Sequence, residues 1–175
     1  MSTSRQDMRT VMGHFATGVC VVSARRGDGS PAATTVNAVT SVSLDPPLLL
    51  VCLARDSETL AAVMESSRFA VSILTAEQHG HSVRFAAKGE QAHAEEVEFS
   101  EHDAEVPCIA DALATIACRI SAVHDGGDHM IVVAEALSMS SAERDVAPLL
   151  FFRGSYSRLA DEDPLEPKRA LQSIG

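Results

Sequence analysis

Residues 34–47 read TTVNAVTSVSLDPP, and this stretch carries the strongest indication of the fold. Threonine, valine and serine favour an extended chain, whereas the two prolines cannot donate to a sheet and predict a break. Alternate side chains of an extended chain share one face. The pattern predicts one row of Thr35, Asn37, Val39 and Ser41 and an opposite row of Val36, Ala38, Thr40 and Val42. The polar row could hydrogen-bond the edge of a planar heterocycle, and an ordinary edge strand is the alternative.

Short apolar runs on both sides of this stretch predict further strands. They are rich in β-branched side chains and are bounded by turn residues. Glycines 126 and 127 stand between two such runs and predict a tight hairpin, and Arg153-Gly154 predicts another turn. The predicted strands are residues 19–25, 48–53, 69–74, 115–124, 130–138, 149–152 and 155–159.

Three segments predict helices. Ser4 and Asp7 have the spacing of a capping box. The apolar positions that follow at helical spacing are Met8, Val11, Met12 and Phe15. Ser57 is placed to cap a second helix, and residues 76–87 predict a third. The predicted inward side chains of the second helix are Leu60, Val63 and Met64. The polar, acidic residues 88–105 favour an excursion over the surface.

The order of these elements indicates the fold class. About six to eight strands and two or three short helices occur without the regular strand–helix alternation of a parallel sheet. This favours a mainly β fold, an antiparallel barrel with peripheral helices, in a single domain over residues 1–160. The charged, proline-containing residues 161–175 predict a loose tail.

Charge and cysteine spacing exclude several classes of partner. The chain has 175 residues and a net charge of −10, which repels nucleic acid and anionic membrane surfaces. Its four cysteines form no CxxC pair, so no metal site is predicted. The polar first residues, MSTSRQDM, and the lack of a long apolar run predict a cytoplasmic protein with reduced cysteines.

Two further segments could carry chemistry. Residues 54–59, ARDSET, leave a strand and open a helix, so free amides and the helix dipole could hold an anion, although ordinary capping explains the same residues. Residues 124–129, HDGGDH, could place one imidazole against a ligand, or could form a mobile polar turn. A hairpin tip would splay His124 and His129 too far apart to share a metal ion. No GxSxG, GxGxxG or GxxxxGK[ST] motif supports serine hydrolysis or Rossmann or P-loop binding.

Taken in order, these motifs resemble the short-chain flavin reductases. Those proteins are the reductase components of two-component flavin-dependent monooxygenases, within the FMN-binding split-barrel superfamily. The run MGHFATGVCVV at residues 12–22 looks like the opening of that family, and TVNAVTSVSLDPPL at residues 35–48 continues the likeness. Shorter similarities follow at residues 57–59, 68–71, 84–86, 126–129, 148–150 and 153–156.

The resemblance implies a fold and a set of site residues. The fold is a six-stranded split β-barrel, flavin reductase-like, that forms a homodimer with flavin near the subunit interface. Ser57 and Thr59 would take the flavin 5′-phosphate, and His129 and Tyr156 would be the catalytic residues beside the nicotinamide. The other implied flavin contacts are Thr35, Asn37, Ala38, Ser41, Val42, Ser43, Cys52, Leu53, Ala54, Arg84, Phe85 and Ala86.

The implied activity is that of an NAD(P)H:flavin oxidoreductase. Such an enzyme uses NADH or NADPH to reduce FMN, FAD or riboflavin by hydride transfer, and supplies the reduced flavin to a partner monooxygenase. Hydride transfer depends on stacked rings rather than on a covalent nucleophile, which agrees with the lack of a catalytic triad motif. A non-catalytic flavin carrier or sensor of the same fold and a cofactor-free binding barrel are the alternatives.

Overall fold

The structure is a computed structural model that describes residues 4–87, 99–102, 106–142 and 146–159. The helices are α1 (Arg5–Met12), α2 (Glu58–Ser66) and α3 (His79–Ala86), with a 3-10 turn at Ala76–Gln78. The strands are β1 (Thr17–Gly18), β2 (Cys20–Arg25), β3 (Pro31–Val36), β4 (Val39–Leu44), β5 (Pro47–Ala54), β6 (Arg68–Ile73), β7 (Phe99–His102), β8 (Val106–Ile109), β9 (Ala114–Gly126), β10 (His129–Ser141), β11 (Leu150–Phe152) and β12 (Ser155–Ser157). The predicted mainly β fold with peripheral helices is confirmed. The described residues contain no helix with the length and apolarity that a membrane crossing requires. The predicted tail, residues 161–175, lies outside the described residues.

The main sheet is antiparallel and has seven strands in the order β3-β2-β6-β9-β10-β5-β4, one more than the resemblance implied. β3 and β4 are consecutive in the chain, yet they form the two edges of this sheet, and only Asn37 and Ala38 connect them. Since three peptide steps span at most about 11 Å, the sheet has to curl until its edges approach each other. At this junction the Cys52 N–H of β5 donates to the Ala38 carbonyl at 3.0 Å.

The β9–β10 hairpin is confirmed, and it brings the glycine-rich turn to the end of β5. Each strand has 13 residues, and the chain reverses at Gly127 and Asp128. β10 also pairs with β5, in a register that puts His129 opposite Ala54. The predicted hairpin of β11 and β12 is present as well, with its turn at Arg153-Gly154.

The core lies between the main sheet and α2. Leu60 and Val63 are buried against Val22 and Phe69, as the helical spacing predicts. The inward position predicted for Met64 is wrong, because this side chain is 48% exposed. Met64 follows Val63 directly and so lies about 100° further round the helix, outside the buried stripe. A second cluster beneath α3 contains Val19, Val21, Leu74, Phe85, Ile109 and Leu149.

α1 forms as predicted but leaves its apolar side chains uncovered. The Asp7 N–H donates to Ser4 Oγ at 3.1 Å, and the Ser4 N–H donates to the Asp7 carboxylate at 2.9 Å, which completes the capping box. The Arg153 N–H donates to the Gly13 carbonyl at 2.8 Å and attaches the end of the helix to the β11–β12 turn. The exposed apolar side chains of this segment are Met8, Val11, Met12 and Phe15.

The predicted surface excursion, residues 88–105, includes the first strand of a pair that the sequence does not indicate. Residues 88–98 and 103–105 lie outside the described residues, but Phe99–His102 forms β7 and pairs with β8. All four residues of β8 are buried. Pro107 lies in the middle of β8, and a proline within a short apolar run argues against a strand. This proline explains why sequence reasoning misses the pair.

Candidate functional site

A cavity of about 170 Å³ opens where the β3–β4 junction, the end of β5 and the start of β10 meet. We call it the junction cavity. Its lining consists of Thr34, Thr35, Val36, Asn37, Ala38, Cys52, Leu53, Ala54, Ser57 and His129. All but Thr34 and Val36 are site residues that the resemblance implied. The fold thus brings four separated segments of the predicted site to one place.

The β3–β4 junction contributes five consecutive residues, 34–38, to the junction cavity. The alternation expected for one continuous strand is therefore wrong here. β3 ends at Val36 and β4 begins at Val39, and the two residues between them cross from one sheet edge to the other. Asn37 and Ala38 are exposed, so the Asn37 carboxamide is free to meet a ligand from this crossing. Val36, which the prediction placed in the opposite row, lines the cavity for the same reason, and so does Thr34.

Thr35 also ties the junction to α3. Its Oγ1 donates to the Ser82 carbonyl at 2.7 Å. Because a hydroxyl has only one proton, Thr35 can offer a ligand only its lone pairs while this bond holds. Ser82 itself is fully buried, and its Oγ donates to the Tyr156 hydroxyl oxygen at 2.8 Å. Ser82 of α3 therefore links the junction cavity to β12, through its main-chain carbonyl on one side and its hydroxyl on the other.

Tyr156 lies at the far end of this link and not at the junction cavity. It lines a second cavity of about 590 Å³, together with Glu77, His79 and Arg158. We call this the tyrosine cavity. The Tyr156 ring packs edge-on against His79, with ring centres 4.6 Å apart, and against Phe151 at 5.5 Å. The structure thus places Tyr156 and His129, the two residues assigned to the nicotinamide, at different cavities.

The end of β5 presents Cys52, Leu53 and Ala54 to the junction cavity. The Cys52 N–H is already bonded to the Ala38 carbonyl, so it is not a free donor for a main-chain contact. Desolvation by burial raises the pKa of the Cys52 thiol, which keeps it protonated at neutral pH. This thiol is therefore a small, weakly polar part of the wall.

Ser57 joins the junction cavity to the start of α2. Its side chain accepts a hydrogen bond from the Leu60 N–H at 3.4 Å, which confirms the predicted cap. The hydroxyl and the positive end of the α2 dipole meet at the cavity wall, an arrangement that favours an anionic group. Thr59 lies within α2 and is only 3% exposed, so its hydroxyl does not reach the cavity surface.

The remaining implied flavin contacts lie beyond the cavity lining. Ser41, Val42 and Ser43 follow the junction along β4. Arg84, Phe85 and Ala86 end α3, where Phe85 is buried in the second core cluster.

His129 is half-buried and faces the junction cavity from the first position of β10. Its Nδ1 lies 2.7 Å from the Asp128 carboxylate. The hydrogen bond and charge of His129 lower the pKa of Asp128, with a smaller contribution from Arg5 at 3.9 Å. The carboxylate is therefore ionised at neutral pH and accepts a hydrogen bond from Nδ1–H, and in the neutral form of the ring this tautomer leaves Nε2 as the acceptor.

Comparisons with known proteins find relatives over most of this chain. Residues 12–160 match the protein family described as "Flavin reductase like domain". The "FMN reductase (NADH) SmoA" of Agrobacterium fabrum is 40% identical over 155 residues, which are 89% of this chain and 86% of the relative. The "Flavin-dependent monooxygenase, reductase subunit HsaB" of Rhodococcus jostii is 36% identical over 149 residues, 85% of this chain and 75% of the relative.

A solved structure is similar over nearly the whole chain. The Streptomyces globisporus NADH:FAD oxidoreductase SgcE6, in complex with NAD and FAD fragments, superposes with a TM-score of 0.84 at 32% identity. The similarity covers 92% of this chain and 96% of that one. The predicted split-barrel fold is confirmed by this match. With the family match and relatives of this identity and coverage, the chain belongs to the flavin reductase like domain family.

Proposed function

We propose that the junction cavity binds flavin and reduced nicotinamide, and that the protein is an NAD(P)H:flavin oxidoreductase that supplies reduced flavin to a partner monooxygenase. The observation that carries the proposal is the convergence of the 34–38 junction, the β5 end, the α2 start and His129 on one cavity. The relatives support it, since they are named as flavin reductases and as the reductase subunit of a monooxygenase.

The donors and acceptors of the cavity fit a flavin. A carboxamide at Asn37 and the lone pairs of Thr35 can pair with the polar edge of a flat heterocycle. The start of α2, with the Ser57 hydroxyl, can hold a phosphate. These groups belong to strand ends and a helix start, so they hold the ligand edge in a fixed place.

His129 would orient the nicotinamide. With both substrates bound, a hydride would pass from C4 of the reduced nicotinamide to N5 of the flavin. This step requires close stacking of the two rings. When the ring is neutral and Nδ1–H donates to the Asp128 carboxylate, Nε2 of His129 can accept a hydrogen bond from the carboxamide of the nicotinamide. Tyr156 would contribute through Ser82 and Thr35 rather than by touching the nicotinamide.

NADH is the proposed electron donor. The Agrobacterium fabrum relative is named an NADH enzyme, and the Streptomyces globisporus structure holds NAD. We place the reaction in the cytoplasm, where reduced nicotinamide is made and where cysteines stay reduced. The four free cysteines of this chain are compatible with that compartment.

We also propose a homodimer. A cavity of about 170 Å³ encloses only part of a flavin, so a second subunit would have to complete the site. Apolar side chains are exposed along β4, at Val42 and Leu44, and along β10, at Leu137 and Met139. Light scattering should give the dimer mass, and Leu44→Glu should shift it towards the monomer. Met64→Glu, on exposed α2 surface, is the control that should leave the mass unchanged.

One assay tests the enzymatic proposal against its alternatives. NADH and NADPH oxidation is followed with riboflavin, FMN and FAD in turn. We expect flavin-dependent oxidation, faster with NADH than with NADPH. Saturable flavin binding without oxidation would favour the carrier or sensor, and no flavin binding would favour a cofactor-free barrel.

A further inference from the structure

Arg55 links the β5–α2 loop, which leads to Ser57, to the β9–β10 turn, which leads to His129. It follows β5 directly and lies two residues before Ser57, which caps α2. Its Nε donates to the Gly127 carbonyl at 2.6 Å, and its guanidinium pairs with the Asp125 carboxylate. Its main-chain N–H donates to the Asp128 carbonyl at 3.2 Å. One residue of the β5–α2 loop thus holds three residues of the β9–β10 turn.

His129 pairs with Ala54 and Gly126 in the sheet, and Gly127 and Asp128 lie beyond this last pair. Gly127 has a φ of +79°, a conformation that glycine adopts freely, and it has no side chain to pack. Its N–H donates to the Asp125 carboxylate at 2.9 Å, and the Asp128 carboxylate bonds to the ring of His129. The His129 imidazole is therefore oriented by Asp128, a residue of the turn that Arg55 holds.

The contact between Arg55 and Asp125 is an ion pair at neutral pH, and together with the bond to Gly127 it requires the geometry of a guanidinium. Hydrogen bonding from the Gly127 N–H, and then from Arg55, lowers the pKa of Asp125, so this carboxylate is ionised. Both side chains of the ion pair are exposed, so it adds little to the stability of the fold. A guanidinium holds two N–H groups in one plane and can bond two acceptors at once, whereas a lysine ammonium cannot keep this geometry.

We propose that Arg55 is a positioning residue for hydride transfer, which holds the β9–β10 turn so that His129 faces the cavity before nicotinamide arrives. The inference rests on the proposed role of His129. A preformed turn lowers the cost of ordering the nicotinamide site, while the flavin edge at residues 34–38 lies on another segment. Loss of Arg55 should therefore weaken nicotinamide binding and leave flavin binding nearly intact.

Steady-state kinetics tests the positioning role of Arg55. The variants are Arg55→Ala, Arg55→Lys and Arg119→Ala. Arg119 is the matched control, because it pairs with Glu135 at 2.7 Å across the same hairpin and is similarly exposed, but the pair lies six positions along β10 from His129. We expect Arg55→Ala to raise the KM for NADH roughly tenfold, with flavin affinity changed by less than about twofold. Arg55→Lys should recover only part of the loss, and Arg119→Ala should behave as the wild type.

Amide hydrogen exchange of the unliganded protein gives a readout that does not need turnover. Arg55→Ala should accelerate exchange at Gly127, whose N–H depends on the placement of Asp125, by roughly tenfold. Arg119→Ala should leave this exchange unchanged.

Two results would overturn the proposal. One is an unchanged KM for NADH together with unchanged exchange at Gly127. The other is a loss of affinity for FMN with riboflavin unaffected, which would make Arg55 a phosphate ligand. If the wild type neither binds flavin nor oxidises NADH, the proposed function fails, and the exchange experiment alone still decides whether Arg55 holds the turn.

Discussion

The junction cavity and the tyrosine cavity are lined by different kinds of residue. The junction cavity is made from strand ends, a helix cap and short side chains that the sheet holds in place. The tyrosine cavity is lined mainly by longer side chains from the segment around α3 and from β12, including Glu77, His79 and Arg158. A rigid frame with short polar groups suits the precise stacking of two rings. This difference supports our proposal that hydride transfer occurs at the junction cavity and that Tyr156 acts on it from outside.

His129→Ala gives the largest expected effect and tests this assignment most directly. The imidazole faces the junction cavity, so its loss should slow hydride transfer by roughly tenfold to a hundredfold and raise the KM for NADH. Flavin affinity should change by less than about twofold, because the 34–38 junction is untouched. Stopped-flow measurement of flavin reduction at saturating NADH gives the rate.

His79→Ala is the matched control for this prediction. His79 lines the tyrosine cavity and packs against Tyr156, so it should change the hydride-transfer rate only slightly. An equal or larger loss in His79→Ala would place the nicotinamide at the tyrosine cavity and reverse the comparison.

Ser57→Ala tests whether the start of α2, at the wall of the junction cavity, binds the flavin phosphate. The variant should weaken FMN binding by about fivefold relative to riboflavin, since one hydrogen bond is worth about 1 kcal/mol. It should also lower the free energy of unfolding by about 1 kcal/mol, because the α2 cap is lost. Fluorescence titration of the two flavins separates binding from stability.

Thr59→Val is the control for Ser57→Ala. Thr59 is buried within α2, so this change should affect the free energy of unfolding without altering the ratio of FMN to riboflavin affinity. A specific loss of FMN affinity in Thr59→Val would support the phosphate role that the family resemblance implied for Thr59.

The sequence predicts local structure well where the pattern is local. The Ser4 and Ser57 caps, the 126–127 hairpin and the strand after Pro47 all depend on residues close in the chain, and all are present. The family follows from the order of the motifs, and the comparisons confirm it.

What the sequence misses depends on contacts between distant segments. The break at Asn37 and Ala38 is set by the closure of the sheet, which no period of side chains reveals. The buried strand β8 is hidden by Pro107, and the separation of Tyr156 from His129 depends on where β12 packs. The sequence around Arg55 predicts only the start of a helix. Its hydrogen-bond partners lie about 70 residues away in the 125–128 turn, so no local pattern reveals them.

Tyr156→Phe should have the smallest effect on catalysis. It tests whether Tyr156 acts on the junction cavity through Ser82 and Thr35 rather than by contacting the nicotinamide. The change removes only the hydroxyl that accepts from Ser82, while the ring contacts with His79 and Phe151 remain. Ser82 Oγ then loses its acceptor inside the protein, which should lower the free energy of unfolding by about 1–2 kcal/mol. Through Ser82 and Thr35, the flavin edge should shift slightly and raise the flavin KM by about twofold to threefold, with the hydride-transfer rate nearly unchanged. Ser82→Ala should give the same change in KM, and the double variant should be no worse than either, because all three remove the same hydrogen bond between Ser82 and Tyr156. A fall of more than about tenfold in the hydride-transfer rate of Tyr156→Phe, at an unchanged flavin KM, would show instead that the hydroxyl acts on the nicotinamide itself.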